Sequence, residues 1–145
     1  MTYLLDVNLL IALLDARHVH NAAAHQWAGN HPKALKWATC PIIENAFVRI
    51  TGNPAYPNFL GSAMASLNTL RKNILETDHH FWADDISLCD HALWHSSEFM
   101  SAAQITDCYL LALAVKNGGK LATFDRQIPA HLVRGGKEAL LSLPA

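Results

Sequence analysis

The sequence predicts an α/β fold in three layers, with helices on both faces of a short, mostly parallel central sheet. Three observations carry that prediction. Apolar runs at residues 3–7, 35–39 and 120–124 are strand-length and lack the in-out alternation of a sheet with one wet face, so they read as strands buried on both faces. Stretches with apolar residues at helical spacing separate them. Parallel neighbours need such helical crossovers, and these are right-handed.

Taken in order, Tyr3-Leu4-Leu5-Asp6-Val7 is a buried strand that feeds directly into a helix over Leu9–Leu14, with Asn8 as its N-cap. From His20, residues Ala23, Ala24, Trp27 and Ala28 recur at helical spacing until Asn30-His31-Pro32 ends the second helix. Leu35–Thr39 is a second buried strand. Thr39 or Cys40 then caps a third helix, Pro41 suits its first turn, and Ile43, Phe47 and Ile50 form its inward stripe. Gly52-Asn53-Pro54 stops it, and Asn58–Arg71 reads as a fourth helix with Leu60, Met64, Leu67 and Leu70 or Arg71 near one face. Between Asn73 and Asp90 the pattern is weakest, with Phe81-Trp82 as a strand end or loop before one helical turn. Thr106-Asp107 opens the most regular helix, with Leu110, Leu111, Ala114 and Val115 inward and Gly118-Gly119 at its C-cap. Lys120–Phe124 is a further strand, and Leu140–Leu143 a final one.

At 145 residues, 51% of them hydrophobic, the chain is long enough for one real core, and a single domain over residues 1–145 is expected. No apolar stretch approaches the roughly 18 residues of a membrane span, and Asp6 interrupts the first apolar run with no basic region ahead of it. A cytoplasmic location follows as the expectation. The three cysteines, Cys40, Cys89 and Cys108, are odd in number, lack C-x-x-C spacing and read as small buried hydrophobes. A net charge of −1 gives none of the basic signal of many nucleic-acid binders, so any such contact must rest on a local patch.

The chemistry lies in the acids. In open parallel sheets, ligands bind beyond the carboxyl ends of the strands. Asp6 and Asp125 each close a strand, while Asp107 and Glu44 each stand in the first turn of a helix, in phase with its inward stripe. Four carboxylates are thereby expected on one rim. Like charges in a partly desolvated cleft disfavour ionisation unless a cation compensates, and magnesium, which prefers oxygen ligands and keeps several waters, suits such a set. An ion of this kind activates water for attack on a phosphodiester, which points to nucleic-acid hydrolysis. Each acid also has a plainer reading: the helix dipole favours Glu44 and Asp107, Asp125 can start a turn with Arg126, and Asp6 can cap a helix. Asp6, directly after a buried strand, is the hardest to explain that way.

The run Leu5-Asp6-Val7-Asn8-Leu9-Leu10-Ile11-Ala12-Leu13-Leu14 opens a pattern that continues with Glu44-Asn45-Ala46-Phe47-Val48-Arg49 before Asn53-Pro54. It closes with Ile105-Thr106-Asp107-Cys108-Tyr109-Leu110-Leu111-Ala112-Leu113-Ala114 and Leu121-Ala122-Thr123-Phe124-Asp125-Arg126, and Phe81-Trp82-Ala83-Asp84-Asp85 matches its middle segment. This pattern resembles PIN-domain ribonuclease toxins of the VapC type, nearly end to end. The resemblance implies a PIN-like fold and an endoribonuclease using magnesium or manganese. It further implies the toxin of a type II toxin-antitoxin module, neutralised by a cognate antitoxin and assembled as a homodimer. By position, Asp6, Glu44, Asp107 and Asp125 look like the family's acidic quartet. Asp6 and Asp107 look like the direct metal ligands, and Asn8 and Thr123 like supporting polar groups.

Other signals weigh less. His91 and His95 have the spacing of two zinc ligands, but no third ligand or H-E-x-x-H glutamate accompanies them. They read as surface residues, and His18, His20, His79 and His80 as solvated or at most peripheral to RNA. Among Arg17, Arg49, Arg71, Lys72, Arg126 and Arg134, Arg49 and Arg126 are the candidates for RNA phosphates because each accompanies an acidic motif, although a salt bridge to a neighbouring carboxylate serves equally. Trp27, Trp37, Trp82 and Trp94 read as core or dimer interface. A dehalogenase-type phosphatase would need a second acid where Asn8 stands, and a dinucleotide-binding domain would need G-x-G-x-x-G after the first strand. A catalytically silent PIN-like module that binds RNA or protein is the alternative from another class, and the intact quartet argues against it.

Overall fold

The computed structural model describes residues 1–95 and 100–144. Its centre is a sheet of β1 (Tyr3–Leu5), β2 (Trp37–Thr39), β3 (His79–Phe81), β4 (Lys120–Thr123) and β5 (Leu140–Ser142). The order is β3-β2-β1-β4-β5 and every pairing is parallel. The connections are α1 (Val7–Leu14) and α2 (Asn21–Gly29), α3 (Pro41–Thr51) and α4 (Ala63–Glu76), then α5 (Ile105–Lys116), and the short α6 (Gly136–Ala139). Because right-handed crossovers reverse faces when the chain reverses direction across a sheet, α1 to α4 cover one face and α5 with α6 the other. The packing agrees: α1 meets α2 and α3, α3 meets α4, and α5 meets α6 and β4. The three-layer α/β/α reading therefore holds.

Burial explains the strand patterns. Leu4, Leu5, Ala38, Leu121 and Ala122 are almost fully buried, as residues between two helical layers must be. α5 is buried from Cys108 to Ala114 without a wet face, which makes it the central helix of its layer. Among the described residues no helix is long and apolar enough to cross a membrane.

Several boundaries differ from the sequence reading. The N-cap of α1 is Asp6, whose carboxylate accepts from Val7 N–H, and Asn8 stands inside the helix. α4 begins at Ala63, capped by the Ser62 hydroxyl, five residues later than expected and also ends later. Its buried residues are Ser66 and Leu70, while Met64, in the first turn next to the cap, is exposed. His79–Phe81 forms β3, a strand too short and too polar to announce itself. α5 starts at Ile105 after a 3-10 turn stapled by a Ser101–Gln104 capping box, so Thr106 is helical and not the cap. Cys40 and Cys108 are buried, but Cys89 is exposed in a turn.

The turn from α5 into β4 uses two glycines differently. Gly118 has φ +67°, which a side chain rarely adopts. Gly119 is a close approach: a Cβ there would lie 2.5 Å from the Thr2 carbonyl oxygen and 2.6 Å from the Trp82 ring. Gly119→Ala is expected to destabilise the protein by about 2 kcal/mol, because neither a backbone carbonyl nor a buried indole can yield. Urea unfolding measures it.

Candidate active site

The order of the sheet reverses between β1 and β4, and the crevice beyond the carboxyl ends of those two strands is where such sheets bind ligands. Asp6 follows β1 directly. Its backbone N–H still pairs with the Ala122 carbonyl at 2.9 Å, so the carboxylate is fixed to the sheet as well as to the first turn of α1. Asp6 is 6% exposed. Thr123, fully buried at the end of β4, joins the two sides. Its hydroxyl donates to Asp6 Oδ2 at 2.7 Å and accepts from the Asp125 N–H at 3.0 Å and from Asn8 Nδ2 at 3.4 Å. Asn8 Oδ1 in turn receives the Phe124 N–H at 3.4 Å. Asp125 Oδ1 accepts from the Gln127 N–H at 2.8 Å, which fixes its own loop.

Asp107 enters from the other helical layer, in the first turn of α5. Its carboxyl is pushed up to about 6, chiefly by burial and then by the charges of Asp6 and Asp125. Asp6 is raised in the same direction: burial is the largest cause, the hydrogen bonds from Thr123 and Val7 oppose it, and the charge of Asp125 adds to it. Three acids from distant parts of the sequence thus share one electrostatic site. Among the described residues no lysine or arginine pairs with any of them.

Glu44 stands on the same rim one strand away, half-buried in the first turn of α3. It is absent from the charges that raise Asp6 and Asp107. Its Oε2 accepts from the Thr39 hydroxyl at 2.7 Å. Beyond it opens a cavity of about 790 Å³ lined by Glu44, Asn45, Arg49 and Asn53, among others. Arg49 and Arg126 are both exposed and, among the described residues, neither is ion-paired.

Two connections around the site were not read from the sequence. His79, expected on the surface, is half-buried on β3, edge-on to Trp37 with ring centroids 4.6 Å apart, and its Nε2 lies 2.7 Å from Thr39 Oγ1. Trp37 is opposite His79 in the β2–β3 register and Thr39 is two residues on, so the three share one face. Only the register reveals this. Tyr109 donates to Asp84 Oδ1 at 2.7 Å while Asp84 Oδ2 accepts from the Ile42 N–H, tying the helix of Asp107 to the start of the helix of Glu44.

Comparison with known proteins bears on what this rim belongs to. A family model described as the PIN domain matches residues 3–131. The chain belongs to the PIN-domain family. Within it, the chain is 38% identical over 142 residues to Ribonuclease VapC44 of Mycobacterium tuberculosis, covering 98% of this chain and 99% of that one. It is 36% identical over 140 residues to Ribonuclease VapC39 of the same species, covering 97% and 100%. The solved structure of Mycobacterium tuberculosis VapC20, described as a sarcin-ricin loop cleaving toxin, superposes with TM-score 0.58 at 15% identity, over 90% of this chain and 98% of that one. Rickettsia felis VapBC2, solved with a DNA fragment from its promoter, gives TM-score 0.56 at 12% identity, over 99% and 100%. The sequence identities make this a PIN domain of the VapC type, and the two structures share its fold.

The donor set of this PIN domain fits a hard divalent cation. Its converging acids all offer carboxylate oxygens, and among the described residues no lysine or arginine is paired with them to relieve their mutual repulsion. Among the described residues no three His, Cys, Asp or Glu side chains close into a cage.

Proposed function

We propose that this protein is a magnesium-dependent endoribonuclease and the toxin of a type II toxin-antitoxin module, with Asp6, Glu44, Asp107 and Asp125 as its acidic site. One observation carries the reading: Asp107 is raised to about 6 beside Asp6 and Asp125, at the point where the sheet order reverses. Acids held up first by burial and then by one another's charge are the arrangement that a bound cation would relieve. Asp6 and Asp107 would hold it, with Asp125 and Glu44 holding its waters or a second ion; manganese has the same oxygen preference. A bound magnesium ion supplies a water of lowered pKa and counter-charge for the phosphate under attack.

The chain's own groups do the rest. Thr123 and the Val7 N–H hold both oxygens of Asp6, so its orientation is set before any ligand arrives. Asn8 and the backbone of Asp125 share the Thr123 hydroxyl, which locks the two strand ends together. Arg49 and Arg126, exposed and close in sequence to Glu44 and Asp125, are the groups that would contact RNA phosphates. Kinship with the VapC ribonucleases supports RNA as substrate, and the fold shared with the toxin of the VapBC2 complex supports a cognate antitoxin; a homodimer and a cytoplasmic location complete the proposal.

Purified protein is expected to cut RNA with magnesium and stop with EDTA. Binding of RNA with no cleavage at any enzyme concentration would instead mark a catalytically silent module. A gene for a small DNA-binding protein immediately upstream is the expected genetic context of the toxin.

A further inference from the structure

Glu44 differs from the other acids in how it is held. Asp6 is fixed by a backbone N–H and by Thr123, whereas the bond that fixes Glu44 comes from Thr39 Oγ1, 2.7 Å from Oε2. The same oxygen lies 2.7 Å from His79 Nε2. A hydroxyl has one proton to give. An ionised Glu44 can only accept, so Thr39 spends its proton on Glu44 and can then only accept from His79. The imidazole must therefore carry its proton on Nε2. Any other arrangement turns the Thr39 hydroxyl away from Glu44.

We propose that His79 is a positioning residue for the acidic site, acting through Thr39 to aim Glu44 at the rim. The proposal rests on the ribonuclease reading for its catalytic consequence, but the relay itself is a property of the protein without metal. Three features make it a built device. Thr39 is fully buried, so water cannot replace either partner. Trp37 stands edge-on against the imidazole and its indole N–H donates to Thr77 Oγ1 at 2.8 Å, which fixes the ring that fixes His79. Burial, with the neighbouring His80, lowers the pKa of His79, consistent with a neutral ring bearing one proton. The chain His79–Thr39–Glu44, backed by Trp37, runs from the edge strand β3 to the rim, and partners of this kind behind metal-site groups typically change metal affinity or activity by about 10–100-fold.

Two measurements on the full chain test it. In the metal-free protein, nitrogen-15 NMR of the histidine rings is expected to show His79 as the Nε2–H tautomer with a slowly exchanging proton, and Thr39→Val is expected to abolish that slow exchange. An Nδ1–H tautomer, or exchange unaffected by Thr39→Val, overturns the relay whatever the enzyme does. In RNA cleavage with magnesium, His79→Phe keeps a ring against Trp37 and is expected to lower kcat about 10-fold with KM for RNA little changed, as is Thr39→Val. The double variant is expected to be no worse than the worse single one, because both break one chain. His79→Gln, which restores a donor near the Nε2 position, is expected to recover most of the rate. Wild-type kcat in His79→Phe, multiplying losses in the double variant, or His79→Gln as poor as His79→Phe would each overturn it. If the wild-type protein cuts no RNA, the ribonuclease reading fails while the tautomer result still decides the relay.

Discussion

Asp107→Asn is expected to remove RNA cleavage by about 10³-fold or more while making the metal-free protein more stable. The loss follows from taking away a carboxylate proposed to touch the ion, where several kcal/mol of charge stabilisation are at stake. The gain follows from the raised carboxyl. In the folded protein Asp107 titrates at about 6 because burial and the charges of Asp6 and Asp125 oppose its ionisation, against about 3.9 in an unfolded chain. Between those values the folded state binds the proton more tightly. The group's favourable contribution is fully present below about pH 4 and is lost as pH rises through about 6, so the ionised carboxylate is a net cost at neutral pH. A half-exposed group is screened by water, and an acid in the first helical turn also gains from the dipole, which leaves a stabilisation of about 1 kcal/mol for the asparagine variant. At pH 7.5 that is a rise in Tm of about 3 °C by thermal unfolding, shrinking toward zero at pH 4. A lower Tm for the variant at pH 7.5 would mean that Asp107 is satisfied by the fold and not strained.

Magnesium is expected to stabilise the wild-type protein because it binds the folded state at carboxylates that repel one another. At a concentration 100 times its Kd, the ion adds about 2.7 kcal/mol. The effect has a pH signature. At pH 5 the ion must displace the proton on Asp107 and the gain is small; at pH 8 the carboxylate is ionised and the gain is full. The double variant Asp6→Asn, Asp107→Asn is expected to show no gain at either pH. A rise in Tm that survives in the double variant would place the ion elsewhere.

Why the acids were legible and the relay was not follows from the range of the signals. Asp6 and Asp125 announce themselves because each ends a short apolar run, and a carboxylate there stands at the carboxyl edge of a parallel sheet whatever the strand order. Asp107 is legible from helical phase alone, since α5 is regular and its inward stripe is continuous. The reading of Asn8 as a cap failed because Asp6 takes that place, and capping depends on where the strand ends, which sequence places only to within a residue or two. α4 was misplaced for the same reason: Ser62 caps it after a turn whose residues Pro57 to Gly61 carry enough apolar character to imitate a helix start. His79 was invisible as a site residue because its partner Thr39 lies 40 positions away and the contact depends on the β2–β3 register. The bond from Thr123 to Asp6 spans 117 residues, yet the residue types at each end were already suggestive.

The most direct test of the account is cleavage of a defined RNA by purified wild-type, Asp6→Asn and Asp107→Asn proteins, each with magnesium and with EDTA. The account predicts cleavage by the wild-type protein with magnesium and in no other arm. Cleavage that persists in both variants, or that is indifferent to EDTA, would contradict it.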